Sequence, residues 1–86
     1  MSKILQVELI TPDGAVYQGE ATAVQVPGSQ GSFQVLYNHA AIISTLGKGK
    51  VKIDGPQGSQ TYQVEGGVVE VLNNRVVVLA QKVLAA

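Results

Sequence analysis

Apolar and polar residues alternate with a period of two along most of this chain. In the segment ILQVELI, Leu5, Val7 and Leu9 share one face, opposite two polar side chains. The same alternation recurs at residues 24–26, 50–53 and 61–64. Side chains of an extended strand point alternately to opposite faces, and the β-branched residues that dominate here favour that conformation. The pattern predicts an all-β fold, with the C-terminal KVLAA as the one segment where a helix could start.

Turn-forming residues separate these apolar runs. TPDGA at residues 11–15 has proline early in a turn and glycine at its end, and DGPQGSQ at residues 54–60 is a polar hairpin tip. Asn73 and Asn74 tolerate the left-handed backbone of a tight hairpin. Short strands at such spacing are typical of a β-sandwich or flattened barrel. The pair at residues 66–67, Gly-Gly, predicts a break between two strands, with a bulge or a close approach of backbones.

The length of the chain, 86 residues, corresponds to a single domain covering residues 1–86. A domain this small buries only about 60% of the surface that its unfolded chain exposes, so disulfides, a metal or a partner often stabilise it. The chain has no cysteine, one histidine cannot form a zinc site alone, and the six acidic residues are scattered. We therefore expect stability from good packing, from a partner protein, or from both, with no metal and no cofactor.

Composition argues against several classes of function. The net charge is zero, whereas nucleic-acid binding needs a basic surface that displaces counterions. No apolar run approaches the roughly 20 residues of a membrane-spanning helix. Gln6 and Glu8 interrupt the apolar N-terminus, so no signal peptide is expected. The chain is predicted to be soluble and cytoplasmic, without nucleic acid or a small-molecule substrate as a partner.

The last predicted strand is apolar on both faces. Val76, Val78 and Ala80 lie on one face, and Val77 and Leu79 lie on the other. A strand with one face in water should alternate apolar and polar residues. Two interpretations are open. The strand is either packed on both faces within the chain, or its second face meets another protein.

His39 is the only histidine and the natural candidate for a general base. A small hydrolase would need a nucleophile beside it, but the chain has no Gly-x-Ser-x-Gly elbow. GSQGS, at residues 28–32, lacks the Lys-Ser/Thr that ends a phosphate-binding loop, and it precedes a predicted strand rather than a helix. Catalysis is therefore disfavoured, and a hydrogen-bonding or contact role for His39 is favoured.

Lys48, Lys50 and Lys52 account for half of the basic residues and line one face of a predicted strand. The simplest interpretation is a solvated face that also discourages pairing at a sheet edge. The alternative is a lipoyl- or biotinyl-type carrier domain, a small sandwich modified on a lysine at a hairpin tip. Lys48 lies between two glycines, but such carriers show Asp-Lys-Ala or Met-Lys-Met where this chain has Gly-Lys-Gly, so the match is weak.

Two segments carry a resemblance to a known family. VQVPGSQGSFQVLYNHAAIISTLGKGKVKI contains a Gly-Ser-x-Gly turn, a short strand, a His-Ala step and a glycine before a Val/Ile-rich strand. VEGGVVEVLNNRVVVLA adds Gly-Gly, Glu-Val and Val-x-Val-Leu-Ala. In order and spacing they resemble the N-terminal domain of the epsilon subunit of rotary F-type ATP synthase. The matching positions are Gly28, Ser29, Gly31, His39, Ala40, Gly49, Val51, Gly66, Gly67, Glu70, Val71, Val76, Val78, Leu79 and Ala80.

The resemblance implies a flattened β-sandwich of about ten short antiparallel strands, without chemistry of its own. It implies a rotor subunit of the central stalk that binds the gamma subunit and the membrane c-ring, and that couples proton-driven rotation to ATP synthesis. Such a subunit is peripheral to the cytoplasmic face of the bacterial inner membrane. The implied gamma contacts are Thr11, His39, Ile42, Ile43 and Ser44, and the implied c-ring contacts are Gly28, Ser29, Gln30, Gly31 and Ser32.

Four positions depart from the family pattern. Asn38 and Ala41 stand where glycine and proline are common, and Gln30 and Ser32 are uncharged where acids are frequent. A ring contact that depends on an acid at these positions is not implied for this chain. Full-length members also continue into a pair of C-terminal helices, which the resemblance places after residue 86.

Overall fold

The computed structural model describes residues 3–85, which form seven β-strands and no helix. The strands are β1 (Leu5–Thr11), β2 (Gly14–Ala21), β3 (Ala23–Val26), β4 (Phe33–Leu36), β5 (Ile42–Gly55), β6 (Gly58–Leu72) and β7 (Arg75–Ala85). The all-β class predicted from the alternating pattern is confirmed. No helix capable of crossing a membrane occurs in this part of the chain.

The strands are hydrogen-bonded in the order β2-β1-β7-β6-β5-β3-β4. All neighbours are antiparallel except β1 and β7, which run parallel, with Val7 opposite Val76. The resemblance implies about ten short antiparallel strands, whereas the structure has seven. The number is lower because β5 and β6, which are 14 and 15 residues long, each continue past the point where a shorter strand was expected to end. A parallel pair needs a long connection, which strands β2 to β6 provide.

β5 and β6 pass from one layer of the sandwich to the other. In β5 the buried side chains change from the even position Leu46 to the odd positions Val51 and Ile53, and in β6 they change between Val64 and Val69. The pairing register between the two strands stays constant through the change. Both changes fall at glycines, where a strand can bend from one sheet into another. One layer therefore holds β1, β2 and β7, and the other holds β3 and β4.

The inward faces of both layers form one hydrophobic core. Leu5, Leu9 and Ile53 are its largest fully buried side chains, and Tyr62 is its one buried aromatic residue among those described. Tyr17, Phe33 and Val83 pack against it while partly exposed. Across residues 3–85 no polar or charged residue is buried. The side chains that could recognise a partner therefore lie on the outer faces.

Gly66 and Gly67 lie within β6, so the predicted break between two strands is wrong. The predicted close approach of backbones is confirmed. A Cβ atom on Gly67 would overlap the carbonyl oxygen of Leu79 and lie 3.0 Å from Cα of Ala80. Both glycines have positive φ, 74° and 129°, a region that glycine reaches without a steric cost. They allow β6 to bend while it remains paired with β7.

The predicted turns are confirmed, but the predicted helix start is not. Residues 12–13 connect β1 to β2, residues 56–57 connect β5 to β6, and Asn73 and Asn74 connect β6 to β7 with φ of 51° and 62°. The C-terminal segment KVLAA continues β7 as far as Ala85, and its last residue lies outside the described part. Val83 holds it in the sheet, because it pairs with Val64 and packs on the core.

Tyr17 of β2 extends over Gly55 of β5, and its hydroxyl donates a hydrogen bond to the carbonyl oxygen of Glu20 at 2.9 Å. Burial, with smaller contributions from Tyr62 and Glu20, raises the pKa of this hydroxyl above its ordinary value of 10.0. Because the pKa of Tyr17 is higher in the folded than in the unfolded chain, its protonated hydroxyl contributes stability in full below about pH 10. This contribution is lost as the pH rises through the pKa of the folded state.

We therefore expect the Tyr17→Phe variant to lose less unfolding free energy than the wild type between about pH 8 and pH 11. Urea unfolding at the two pH values measures this loss. Equal losses in both proteins would show that Tyr17 does not couple folding to pH.

Candidate functional site

The layer that contains β1 and β7 exposes an apolar outer surface. In β7, Val76, Val78 and Ala80 are buried, whereas Leu79 is 49% exposed and Val77 is half-buried. The second face of β7 is therefore not fully packed within residues 3–85. Of the two interpretations of this strand, the structure favours contact with another protein.

Neighbouring strands extend this surface across the layer. The pairing places Val68 of β6 beside Leu79, and Leu79 beside Ile10 of β1. Ile43 and Leu72 continue it to the end of the layer, with 71% and 52% of their surface exposed. Grouped exposed apolar side chains on a small domain mark interaction sites. We call this set the outer apolar face: Ile10, Ile43, Val68, Leu72, Val77 and Leu79.

Leu72 separates two shallow grooves on the outer apolar face. One groove, of about 540 Å³, is lined by Glu70, Leu72, Asn73, Arg75 and Val77. The other, of about 420 Å³, is lined by Ala41, Ile42, Ile43, Glu70, Val71 and Leu72. Arg75 is ion-paired with Glu8 at 3.0 Å, whereas Glu70 makes no ion pair within residues 3–85. The smaller groove is mainly apolar, whereas the larger one combines apolar and polar side chains. With the free carboxylate of Glu70 between them, they suit a protein partner with apolar and basic side chains.

The segment predicted to face gamma lies at one end of this face. Ile43 projects outward, while Ile42 and Ser44 lie on the opposite side of β5, the side on which Leu46 is buried. The predicted alternation of the two isoleucines is confirmed, and Ile43 is the one that faces away from the core. Ile42 is 37% exposed and also lines the smaller groove.

His39 lies in the loop before β5 and is half-buried. Its ring centre is 6.4 Å from that of Phe33, and its Nδ1 is 2.7 Å from the carbonyl oxygen of Ala40. The N–H of neighbouring Asn38 donates to Oδ1 of Asn74 at 2.6 Å, which ties this loop to the β6–β7 turn. In the described part of the chain, no serine, threonine or carboxylate side chain is hydrogen-bonded to the imidazole. The geometry gives the hydrolase alternative no support.

Thr11 lies at the end of β1, apart from the other predicted gamma contacts. Its hydroxyl donates to the carbonyl oxygen of Gly14 and accepts the N–H of Asp13, both at 3.1 Å. In the sheet β1 is three strands from β5, a separation of about 14 Å. The structure therefore gives Thr11 a local role in the β1–β2 turn, and its contact with gamma stays a prediction.

The loop at residues 28–32 is fixed against β5 and exposed at its tip. Gly28 bridges to Leu46, and the N–H of Ser29 donates to the carbonyl oxygen of Thr45 at 2.9 Å. The hydroxyls of Ser29 and Thr45 are also hydrogen-bonded to each other. A Cβ atom on Gly28 would lie only 2.6 Å from the carbonyl oxygen of Gly31. The tip of this braced polar projection is exposed at Ser29, Gln30, Gly31 and Ser32.

Lys48 lies inside β5, opposite Glu65 of β6, and not at a hairpin tip. The carrier-domain alternative is therefore not supported. Lys48, Lys50 and Lys52 are exposed, as the simplest interpretation proposed. β5 lies between β6 and β3, however, so the lysines are not on an edge strand. No group of three or more His, Cys, Asp or Glu side chains that could hold a metal ion occurs between residues 3 and 85.

Comparison with known proteins decides the family. Residues 4–86 match the family described as ATP synthase, Delta/Epsilon chain, beta-sandwich domain. The chain belongs to the ATP synthase delta/epsilon family. The resemblance seen in the sequence is thereby confirmed. The ATP synthase epsilon chain of Leptospira borgpetersenii is 41% identical over 87% of this chain. The ATP synthase epsilon chain of Cereibacter sphaeroides is 39% identical over 99% of this chain.

The share of each relative that is matched varies. This delta/epsilon chain spans 59% of the Leptospira borgpetersenii protein and 64% of the Cereibacter sphaeroides protein. The ATP synthase epsilon chain of Chlorobium limicola is 33% identical over 94% of this chain and 93% of its own length.

Solved structures share the fold. A chain of the Euglena gracilis mitochondrial ATP synthase OSCP/F1/c-ring structure has a TM-score of 0.88 at 18% identity, over 99% of this chain and 55% of its own. A chain of the Tetrahymena thermophila mitochondrial ATP synthase central stalk/c-ring structure has a TM-score of 0.78 at 20% identity, over 98% of this chain and 67% of its own. These similarities confirm the β-sandwich fold.

Proposed function

We propose that this chain is the β-sandwich part of a non-catalytic central-stalk subunit of F-type ATP synthase, and that its outer apolar face binds the gamma subunit. The observation that carries the proposal is the exposure of Ile43, Leu72 and Leu79 on one face of a closed core. Burying apolar surface contributes about 25 cal/mol per Å². A partner that covers this face would also stabilise a small domain, because it binds the folded state alone.

The predicted gamma contacts differ in how well they fit this surface. Ile43 and Ile42 line a groove beside Leu72, and His39 lies at its rim, near the β6–β7 turn. Ser44 faces the core side of β5, and Thr11 lies across the layer. In the proposed complex Ile43 is central, His39 and Ile42 are peripheral, and Ser44 and Thr11 are contacts only if gamma extends around the edges of the layer.

The loop at residues 28–32 is the proposed contact with the c-ring. It is polar, exposed at its tip and braced against β5, which suits a surface that transmits torque without deforming. With gamma on one face and the ring at this loop, the sandwich would couple proton-driven rotation to ATP synthesis. In this arrangement the chain is peripheral to the membrane sector, and in a bacterium it would lie at the cytoplasmic face of the inner membrane.

Ser32→Ala is expected to leave the folded domain almost unchanged. The hydroxyl of Ser32 accepts one exposed hydrogen bond from Nε2 of Gln25 at 3.2 Å, worth about 1 kcal/mol or less. We expect the melting temperature of the isolated chain to fall by at most about 8 °C, while proton-driven ATP synthesis by the assembled enzyme decreases. Gly28→Ala, which would collide with Gly31, is the contrasting variant that unfolds at lower temperature. A large thermal shift in Ser32→Ala would mean that the side chain serves the fold.

Reconstitution tests the proposed function. ATP synthase depleted of its epsilon subunit would be assembled in vesicles with and without this chain, using the gamma subunit and c-ring of the same organism. We expect the chain to co-purify with the complex and to restore proton-driven ATP synthesis. A folded chain that neither co-purifies nor restores synthesis would contradict the proposal.

A further inference from the structure

A groove lined by three lysines lies on the outer side of the layer that contains β3 and β4. Lys48, Lys50 and Lys52 are exposed at alternate positions of β5, about 7 Å apart along the strand. The groove has a volume of about 480 Å³. The residues that complete its lining are Gln25, Pro27, Gly28, Ser32, Gly49 and Thr61. We call it the lysine groove.

The lysine groove carries an excess of positive charge. Lys50 faces Gln63 across the sheet, and Lys52 lies between Thr61 and Gln25, so both have neutral cross-strand neighbours. The single ion pair within 4 Å in residues 3–85 is elsewhere, between β1 and β7. None of the three ammonium groups is therefore neutralised by a direct ion pair in the described chain.

Two carboxylates lie near the three lysines without forming an ion pair with them. Glu65 is opposite Lys48 on one side and Lys82 on the other. Asp54 lies one alternate position beyond Lys52, and its carboxylate accepts a hydrogen bond from the hydroxyl of Ser59. The net charge of the lysine groove therefore stays positive, and it is most positive at the middle of the groove.

We infer that the lysine groove binds the anionic phosphate headgroups of membrane phospholipids. The inference rests on the proposed function, because the groove shares Gly28 and Ser32 with the loop proposed to contact the c-ring. A loop at the ring brings the adjacent lysines toward the headgroup region. Each lysine near an anionic bilayer strengthens binding about fivefold, and the amide and hydroxyl groups of Gln25 and Thr61 add hydrogen-bond donors for phosphate oxygens.

Vesicle partitioning of the full 86-residue chain tests the inference. The two vesicle types are pure phosphatidylcholine and a mixture of two parts phosphatidylcholine with one part phosphatidylglycerol. At low ionic strength we expect the mixed vesicles to bind the chain about a hundredfold more strongly. We expect Lys50→Gln to reduce this ratio about fivefold and the triple Lys→Gln variant at positions 48, 50 and 52 to abolish it. Lys3→Gln removes the same charge outside the groove and should leave most of the ratio intact.

Three outcomes would overturn the inference. They are equal binding to both vesicle types, equal losses in Lys50→Gln and Lys3→Gln, or saturable binding of soluble glycerol phosphate, which would indicate a free-phosphate site. At about 0.5 M salt, where the Debye length is below about 5 Å, the difference between vesicles should disappear.

Gamma binding by the triple variant separates the two proposals. If the triple variant still binds gamma but the wild type shows no lipid preference, the inference fails while the proposed function stands.

Discussion

Replacing Gly67 by alanine is expected to destabilise the chain by about 4 kcal/mol, which is a large fraction of the stability of a domain this small. Two costs add. A non-glycine residue at φ 129° carries backbone strain of about 1–3 kcal/mol. The new methyl group would also overlap the carbonyl oxygen of Leu79 in the neighbouring strand, and relieving such overpacking costs about 1–3 kcal/mol. Thermal and urea unfolding measure the sum, as a melting temperature lower by at least about 15 °C.

Gly31→Ala is the matched control for this substitution. Gly31 has nearly the same φ, 133°, but a Cβ atom there would meet nothing within 4 Å. We therefore expect Gly31→Ala to show the backbone strain alone, about 1–3 kcal/mol. If Gly67→Ala costs no more than Gly31→Ala, β6 and β7 separate easily at this point and the close approach does not contribute to the bend.

The local features of the fold could be predicted from the sequence because they depend on neighbouring residues. The alternation of Leu5, Val7 and Leu9 fixes which side of β1 is buried, and the Asn-Asn turn fixes a hairpin. The parallel pairing of β1 with β7 could not be predicted, because it joins residues nearly 70 positions apart, such as Gln6 and Arg75. A change of buried face inside a strand also looks like a strand end in sequence, which is why β5 and β6 were expected as shorter pieces.

The candidate site was predicted only in part. The doubly apolar β7 allowed a surface around Leu79 as one of two interpretations, and the alternation at residues 42–43 indicated that one isoleucine faces outward. Leu72 was not predicted. Its position on the same strand face as the charged Glu70 was a usable signal, because it places an apolar side chain on a solvated face. Its place beside Ile43 depends on the pairing of β5 with β6, which the sequence alone does not determine.

Ile43→Asp is expected to weaken gamma binding by at least about 2–3 kcal/mol, or roughly 30- to 150-fold, while the chain remains folded. Ile43 is 71% exposed, so a carboxylate there stays in water in the free chain and loses that water in the complex. Leu36→Asp is the matched control, because Leu36 is 50% exposed but lies on β4 in the other layer. Titration calorimetry with gamma measures both variants, and circular dichroism checks their folding.

Equal gamma affinity in Ile43→Asp and Leu36→Asp would exclude Ile43 from the contact. Ile42→Asp is a less informative variant, because Ile42 is on the core side of β5 and its replacement would also destabilise the fold.

Binding of the wild-type chain to purified gamma subunit shows directly whether the chain is a gamma-binding subunit. We expect a one-to-one complex with a Kd of about 1 μM or tighter, and gamma should raise the melting temperature of the chain because it binds only the folded state. Absence of any complex at about 100 μM, with both proteins folded, would contradict the assignment of this chain as a gamma-binding subunit of the central stalk.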